Sequence, residues 1–499
     1  MKKISKNPIT NQDYLIPDVL DDGASLKEFV EEHPDKPIIV VQGLGFVGSV
    51  MSLVCANAIN GDYAVIGVDL PTEESYWKIA SINDGFFPVV SSDPKVEAYF
   101  EEARKKRNFY ATYDNYAYQL ADVIIVDINL DVQKESTPFG NLIDYKVDLS
   151  SFKSAIKAIG KNAKEKVLIL VETTVPPGAT KLAAEIIDKE YSKRGISSEN
   201  VSIGHSYERV MPGPNYIDSI QNFFRVYAGV DDKSANEIES FLRTIIRTDE
   251  YPLTRLGNTN ATEISKVLEN SYRAMNISFI VEWSRFAEEA GVNLYEVINA
   301  IRMRTTHKNI MLPGIGVGGY CLTKDPLLAS WARQNLINAD NDMLAMSEMA
   351  VRTNDKMPLH AFEFLESFYG KEKLKGKKIQ LYGVSYLAGV GDTRYTPVAN
   401  FYKLLIEHES IVSLHDPYVS YWEEFNLNIS QDINSFDEET NIVIFTTGHT
   451  EYKNNKNLIT NLDNQEDLYI YDTIGILSED EISFLSKKHV VKVLGRGDI

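Results

Sequence analysis

The chain has 499 residues, 44% hydrophobic and 24% charged, which suits about three domains with a sizeable core. Lys+Arg 51 against Asp+Glu 71 leaves a formal net charge of -20. That excludes nucleic acid and an anionic membrane as default partners, while a local basic pocket can still take a small anionic substrate.

Only Cys55 and Cys321 are present. Two cysteines so far apart make no disulfide framework, so a reducing, cytoplasmic setting is expected. Residues 1–36 are polar and acidic and read as an N-terminal extension with one helix around Ser25 to Glu32. Their opening, "MKKISKNPITNQDYLIPDVLDDG", lacks the apolar core of a signal peptide. The run Ile38 to Ile59 has the length and apolarity of a membrane span, but glycines at fixed spacing interrupt it and another apolar strand follows.

"PIIVVQGLGFVGSVMSLVCANA" and then "YAVIGVDLP" predict strand, glycine turn, helix, strand, the opening of a doubly wound sheet. Gly43, Gly45 and Gly48 fit G-x-G-x-x-G, with Phe46 and Val47 between the last two. The first glycine permits the tight turn, the second lets backbone approach a pyrophosphate, and the third lets helix pack on strand. The helix N-terminus then faces the phosphates. Asp69 ends the next strand at the distance that ribose recognition requires, and no arginine follows it, so NAD is favoured over NADP. Cys55, on the helix after the turn, is expected in the core.

The short apolar runs "VIIVDINL", "VLILVETTV" and "VSIGHSYE" extend this α/β domain to about residue 230. "VETTVPPGAT" and "SYERVMPG" fall where strands end, the ligand edge of a parallel sheet. Each also reads as an ordinary turn, the second with a surface ion pair of Glu208 and Arg209.

From Asn258 to Ala290 the period changes. Ile264, Val267, Leu268, Met275, Phe279, Trp283 and Phe286 recur at helical spacing. Asn260 with Glu263 resembles a capping box, and Gly291 supplies a stop. A helix of over thirty residues suggests a spine between domains. Lys266 and Asn270 share one of its faces. Together they would steady an oxyanion, or they lie on a solvated face. Further helices are expected near 294–303 and 326–368.

"GIGVGGYCLTKDP" sets Cys321 among glycines and before Lys324 and Asp325. A lone cysteine is commonly a small buried apolar residue. Glycines that admit other groups, and a lysine that favours thiolate, make Cys321 a candidate nucleophile instead. From Lys377 onward "KKIQLYGVSY", "SIVSLHDPY", "NIVIFTTGH", "DLYIYDTIG" and "HVVKVLG" predict five strands of a second α/β domain.

These motifs, in this order, together with "TEISKVLEN" and "GVSYLAGVGDTRYTP", resemble the UDP-glucose/GDP-mannose dehydrogenase family of nucleotide-sugar 6-dehydrogenases, over nearly the whole chain after the extension. The resemblance implies a fold of two Rossmann-like doubly wound domains joined by a long central helix and a helical dimerisation domain. The expected division is 1–36 extension, 37–230 NAD-binding, 231–365 central and 366–499 UDP-sugar-binding. It implies NAD-dependent four-electron oxidation of a sugar C6 hydroxymethyl to a carboxylate, in a homodimer or a higher homo-oligomer, with no nucleic-acid or membrane partner and no metal.

Carried onto this chain, the resemblance makes Cys321 the nucleophile, through a thiohemiacetal and a thioester. Lys266 and Asn270 would stabilise the oxyanion or move the proton at the C6 oxygen. Asp325 would position water or the lysine, Thr174 would hold that water, and Glu208 would serve thioester hydrolysis. The cofactor set would be Gly43, Gly45, Phe46, Val47, Gly48, Asp69, Thr137, Thr174, Lys324 and Arg394. The substrate set would be Glu208, Arg209, Val210, Lys266, Asn270, Gly316, Gly318, Gly319 and Arg304. Arg302, Arg304 and Lys308 are the candidates for a basic residue donated across a dimer.

"YERVMPG" and "PGIGVGGYC" look more like the branch acting on UDP-N-acetylhexosamines (the mannosamine, glucosamine or galactosamine sugar) than like the UDP-glucose branch. Three positions depart from the family pattern: Leu387 where lysine is common, Tyr395 where glutamate is frequent, and "DTIGIL" without an arginine after Asp472, for which Arg496 is a possible substitute. A single-step hydroxyacid dehydrogenase would have no use for Cys321 or a second α/β domain. A non-catalytic NAD- or nucleotide-sugar-binding regulator would not need Cys321, Lys266, Asn270 and Asp325 together.

Overall fold

Near-continuous Val/Ile/Leu runs make strands that are buried on both faces, as a parallel sheet covered by helices requires. The computed structural model describes residues 3–137, 142–210, 212–337, 339, 344–370, 373–434, 437 and 439–499. The chain divides into two units. The first comprises Met1–Val132, Val147–Val267 and Trp331–Asp340; the second comprises Gln133–Lys146, Leu268–Ser330 and Asn341–Ile499.

In the first unit, β1 (Ile38–Gln42), β2 (Ala64–Val68), β3 (Phe109–Thr112), β4 (Val123–Val126), β5 (Val167–Val171), β6 (Val201–His205), β7 (Arg225–Gly229) and β8 (Leu253–Arg255) form one sheet. Its order is β8-β7-β6-β5-β4-β1-β2-β3. Every neighbour is parallel except β6 with β7. Strand order reverses between β1 and β4, the place where a doubly wound sheet opens a crevice at its carboxyl edge.

The helix Phe46–Ala56 starts there and is buried from Gly48 to Ala56. Each large aliphatic side chain on it contributes about 1.5–3 kcal/mol by leaving water. Cys55 belongs to that core, as expected. The span-like run Ile38 to Ile59 is thus strand, turn and helix. No helix among the described residues is long and apolar enough to cross a membrane.

The N-terminal residues are ordered. Ile4–Lys6 pairs antiparallel with Asp13–Leu15, and a helix runs from Gly23 to Glu31. Ser5 and Asn7 are fully buried. Ser5 Oγ accepts from Trp77 N at 2.9 Å, and Asn7 Nδ2 donates to Ser81 Oγ at 3.1 Å. The polar composition that reads as an extension therefore pins a hairpin to the helix Tyr76–Asn83.

In the second unit, β9 (Lys378–Tyr382), β10 (Ile411–His415), β11 (Ile442–Phe445), β12 (Tyr469–Asp472) and β13 (Val490–Val493) fall in the five expected runs. They form a wholly parallel sheet of order β10-β9-β11-β12-β13. This is the other common doubly wound order, with its reversal between β9 and β11. The helices expected near 294–303 and 326–368 are Leu294–Arg302, Asp325–Asn335, Ala345–Asp355 and Met357–Tyr369.

The long helix runs from Thr259 to Ala290, 32 residues, and Gly291 follows it at φ +69. Two expectations change here. The cap is Asn258, whose Oδ1 accepts from Ala261 N at 3.0 Å, so Asn260 lies inside the helix. Glu263 is not its box partner. It caps a different helix, accepting from Gly178 N and Thr180 N, both at 2.7 Å, where Ala179–Arg194 begins. Burial pushes the Glu263 carboxyl up to about 7 against the pull of those two amides. The second change concerns the apolar stripe. Val267 is buried, but Ile264, Leu268, Phe279, Trp283 and Phe286 are exposed. The buried face instead carries Ser271, Ala274, Ile277, Ser278 and Val281.

Glu263→Ala should leave the Gly178 and Thr180 amides without their acceptor and cost about 1–2 kcal/mol. The check is a lowered thermal unfolding midpoint by circular dichroism, with Glu263→Gln falling between the variant and the parent.

Candidate functional site

The expected site residues fall into two groups, one on each unit. In the first unit the glycine loop joins β1 to the helix Phe46–Ala56. Gly43 has φ +102, and a Cβ there would collide with the Asp127 carbonyl. A Cβ on Gly48 would strike the Gly43 carbonyl, whereas one on Gly45 would meet nothing within 4 Å. The outer glycines are thus needed for the turn and its packing, and the middle one leaves open space over the helix N-terminus. That is the cradle a pyrophosphate needs.

Phe46 is exposed and Val47 half-buried at the start of the helix. Asp69 closes β2. Its Oδ2 accepts from Leu44 N and from Lys78 Nζ, each at 3.1 Å, and its Oδ1 from Leu70 N at 2.8 Å. The carboxylate is therefore fixed against the glycine loop at the ribose position. These residues fit NAD.

Thr174 lies in the turn after β5, half-buried. Its neighbour Thr173 ties that turn to β4, accepting from Ile128 N at 2.8 Å and donating to Val126 O at 3.0 Å. Glu208, Arg209 and Val210 follow β6. Lys266 Nζ donates to Glu208 O at 2.9 Å and lies 3.4 Å from Glu208 Oε1. Val210 N donates to Glu208 Oε2. Lys266 and Glu208 are both buried, and the ammonium sits 5.3 Å from the Tyr207 ring centroid. Neither a solvated helix face nor a surface ion pair describes them. Arg209 stacks its guanidinium on the Tyr207 and Phe223 rings, at 5.6 and 5.3 Å.

His205, at the end of β6, is fully buried, and burial pushes its ring down to about 3. Thr262 Oγ1 donates to Thr259 O, so the 2.8 Å contact from His205 Nδ1 places the ring proton on Nδ1. The ring is neutral at any physiological pH.

In the second unit Cys321 is exposed, just before the helix Asp325–Asn335. Its carbonyl accepts from Lys324 N at 3.2 Å and Asp325 N at 2.9 Å. Asp325 is fully buried. Its Oδ2 accepts from Asn270 Nδ2 at 2.7 Å and its Oδ1 from Lys324 Nζ at 3.0 Å. Lys324 Nζ also lies 4.5 Å from the Tyr320 ring centroid. Asn270, Asp325 and Lys324 thus form one buried chain behind an exposed thiol.

The loop's glycines have a more specific use than its composition suggests. Gly316 and Gly319 have φ +123 and +79. A Cβ on Gly318 would meet Tyr395 O at 2.5 Å and Tyr386 Cβ at 2.7 Å, and one on Gly319 would meet the Tyr386 ring at 2.6 Å. The close neighbours at these two glycines are the protein's own residues. Gly319 N donates to Arg394 O at 3.2 Å, and the Arg394 guanidinium is held by Asp392 at 2.6–3.1 Å. The Asn354 amide clamps Val317 at both ends, 2.7 and 2.8 Å.

The remaining expected residues stand apart from this cluster. Thr137 follows the strand Asp131–Ser136 and is half-buried. Arg304 and Lys308 are exposed, flanking a single turn at Thr305–His307, while Arg302 Nε donates to Ile310 O at 3.0 Å. Leu387 is exposed. Asp472 is buried and spends its carboxylate on Ile474 N at 3.1 Å and Leu477 N at 2.9 Å. Arg496 is committed to Glu479 and Asp498 at 2.6–2.8 Å.

Sequence reasoning missed Tyr386 and Asn354, which hold the glycine loop before Cys321 in place, and assigned Glu263 to the wrong helix end. It also missed Asp127, Glu172 and Arg225, which lie beneath the sequence motifs. An acid closing the apolar run "VIIVD" at the ligand edge was the signal available for Asp127.

Native protein treated with iodoacetamide should carry one label, on Cys321. Cys55 is fully buried and burial pushes its thiol far up, so it should react only in denaturant. Peptide mass mapping decides this, and labelling of Cys55 under native conditions would contradict the core assignment.

Three segments match one family. Residues 37–246 match the UDP-glucose/GDP-mannose dehydrogenase family NAD binding domain, 260–356 its central domain and 380–479 its UDP binding domain. The chain is 31% identical to the UDP-N-acetyl-D-mannosamine dehydrogenase of Methanocaldococcus jannaschii, over 94% of this chain and 98% of that protein. It is 28% identical to the enzyme of that name from Pyrococcus horikoshii, over 92% and 100%. A solved structure of the UDP-D-ManNAc dehydrogenase from Pyrococcus horikoshii superposes with a TM-score of 0.75 at 26% identity, covering 93% of this chain and 100% of that one. The chain belongs to the UDP-glucose/GDP-mannose dehydrogenase family and is an NAD-dependent nucleotide-sugar dehydrogenase.

Proposed function

We propose that this enzyme oxidises C6 of a UDP-N-acetylhexosamine to the carboxylate in two NAD-dependent steps, with UDP-N-acetylmannosamine the first substrate to test. The relatives named above favour that sugar. The observation that carries the mechanism is an exposed Cys321 mounted on the buried Asn270–Asp325–Lys324 chain. NAD+, held by Gly43, Gly45, Phe46, Val47, Gly48 and Asp69, supplies the hydride acceptor.

In the first oxidation the C6 hydroxyl proton passes to water, with the Lys266 ammonium stabilising the oxygen it leaves. The Cys321 thiolate then adds to the aldehyde carbon. Lys266 and Asn270 stabilise the charge that develops on oxygen, and a thiohemiacetal forms. This keeps the aldehyde on the enzyme between the two oxidations. After the second oxidation the acyl group is a thioester. Asp325 and Thr174 position a water, Glu208 takes its proton, and the C–S bond breaks to release carboxylate and regenerate the thiolate. Lys324 and Arg394 serve the cofactor. Arg209, Val210, Arg304 and the loop of Gly316, Gly318 and Gly319 serve the substrate, and one of Arg302, Arg304 and Lys308 is the residue donated across a dimer.

This proposal includes the division into residues 37–230 for NAD, 231–365 for dimerisation and 366–499 for the UDP-sugar. It also includes the cytoplasm, where a thiol nucleophile stays reduced. The dimer forms through the exposed aromatic stripe Phe279, Trp283 and Phe286, whose ring centroids lie 6.0 and 5.8 Å apart along the helix, tilted and edge-to-face. A patch of this kind marks a protein interface.

Three measurements test the reading. Across a panel of UDP-sugars, NADH should appear at two per sugar acid; a ratio of one points to a single-step dehydrogenase. Cys321→Ser should form no sugar acid, and Lys266→Met should lower kcat by about 10²–10³-fold. Trp283→Glu should convert the dimer to monomer by light scattering, and an unchanged mass would remove this face as the interface.

A further inference from the structure

Three carboxylates gather where the first sheet meets its carboxyl edge. Val126, Val171 and His205 lie abreast on β4, β5 and β6, so Asp127 and Glu172, each one residue further on, stand side by side beyond the strand ends. Arg225, at the start of β7, reaches back along the row. Its Nε lies 3.3 Å from Ser206 Oγ, and its guanidinium pairs with Glu172. Glu208 has its own cation, Lys266. Asp127 has none: its Oδ2 is enclosed without a hydrogen-bond partner among the described residues. It also closes against the glycine loop, since Cβ atoms on Gly43 and Gly48 would strike its backbone and its Cβ.

We propose that Asp127 must carry a proton for the dinucleotide to bind, so that the affinity for NAD is coupled to one buried carboxyl. The pyrophosphate is drawn by the N-terminus of the helix that the glycine loop begins. An ionised Asp127 against the same loop, in a low-dielectric interior, opposes that attraction. The charged and titratable groups around Asp127 are Glu208, Arg225, Cys55 and the neighbouring Glu172. Arg225 stays charged but is shared with Glu172, and the buried Cys55 stays neutral. Burial first, and then the charge of Glu208, push Asp127 up to about 8 against the pull of Arg225. The proton exchange therefore falls at mildly alkaline pH. Linkage makes the coupling reciprocal: above that pH, binding the dinucleotide draws one proton from solvent onto Asp127.

The inference rests on dinucleotide binding alone, so turnover of a UDP-sugar plays no part in its test. The probe is NADH, followed by its fluorescence from pH 7.5 to 9.5. The parent protein should lose about tenfold or more in affinity across that range, and Asp127→Asn should change by less than about twofold. A flat profile in the parent, or an equally steep one in the variant, overturns the proposal.

The folded state holds the Asp127 proton more tightly than the unfolded chain does. Its contribution to stability is therefore full at low pH and lost as pH rises toward about 8. Asp127→Asn should then be at least as stable as the parent at pH 8.5, which circular dichroism checks. Should that variant not fold, calorimetric titration of the parent with NADH at pH 8.5, in two buffers of different ionisation enthalpy, still decides. Proton uptake supports the proposal, and none overturns it.

Discussion

One buried carboxylate fixes where the thiol stands. Asp325 has no exposure, so its charge must be met from inside, and Asn270 and Lys324 meet it. The same residue's amide closes on the Cys321 carbonyl. The Cys321 backbone is thereby tied to a charge that cannot move without leaving partners unpaired, at a cost of about 3–5 kcal/mol when one side of such a pair is lost. Gly319 on Arg394 and Val317 on Asn354 add two further anchors. The side chain of Cys321 stays accessible while its main chain is anchored, and the proposed single addition of the thiol to the aldehyde carbon is served by that combination.

The second sheet uses buried charge in a related way, to shape loops. Asp416 follows β10 and accepts from Val384 N and Ser385 N at 2.8 and 3.0 Å, and from Tyr418 N and Val419 N at 2.9 and 3.2 Å. His449 accepts from Gly389 N at Nδ1, so its proton is on Nε2, facing Asp416 and Ser385 together. Serine and carboxylate share one ring nitrogen, so the three are not a hydrolytic triad. These hydrogen bonds outweigh burial and hold Asp416 below the usual carboxylate range. They fold residues 383–389 over the reversal between β9 and β11, within the segment that matches a UDP binding domain.

Much of this was legible in the sequence because the relevant signals are local. G-x-G-x-x-G between an apolar strand and an apolar helix, and five apolar runs after Lys377, announce two doubly wound sheets without any long-range information. Side-chain partners are different. Glu263 sits three residues after an asparagine and reads as a box partner, yet its carboxylate serves a helix that begins some eighty residues earlier in the chain, at Gly178. The apolar stripe on the long helix has the right period, but period alone does not say which face meets the core. Ser271, Ala274 and Ser278 share the buried face with Ile277 and Val281, and the aromatics point outward.

Charge pairing is the least legible of all, and it bears on one departure from the family pattern. Arg496 has the charge to replace an absent arginine near Asp472. However, it is spent on Glu479 and Asp498, and Asp472 is spent on its own turn. Neither position calls for the other. In the first unit the same accounting runs the opposite way: Glu172 has Arg225, Glu208 has Lys266, and Asp127 is left over. A buried acid with no cation of its own favours the neutral form. Its place against the glycine loop turns that constraint on protonation into a constraint on what the loop can hold.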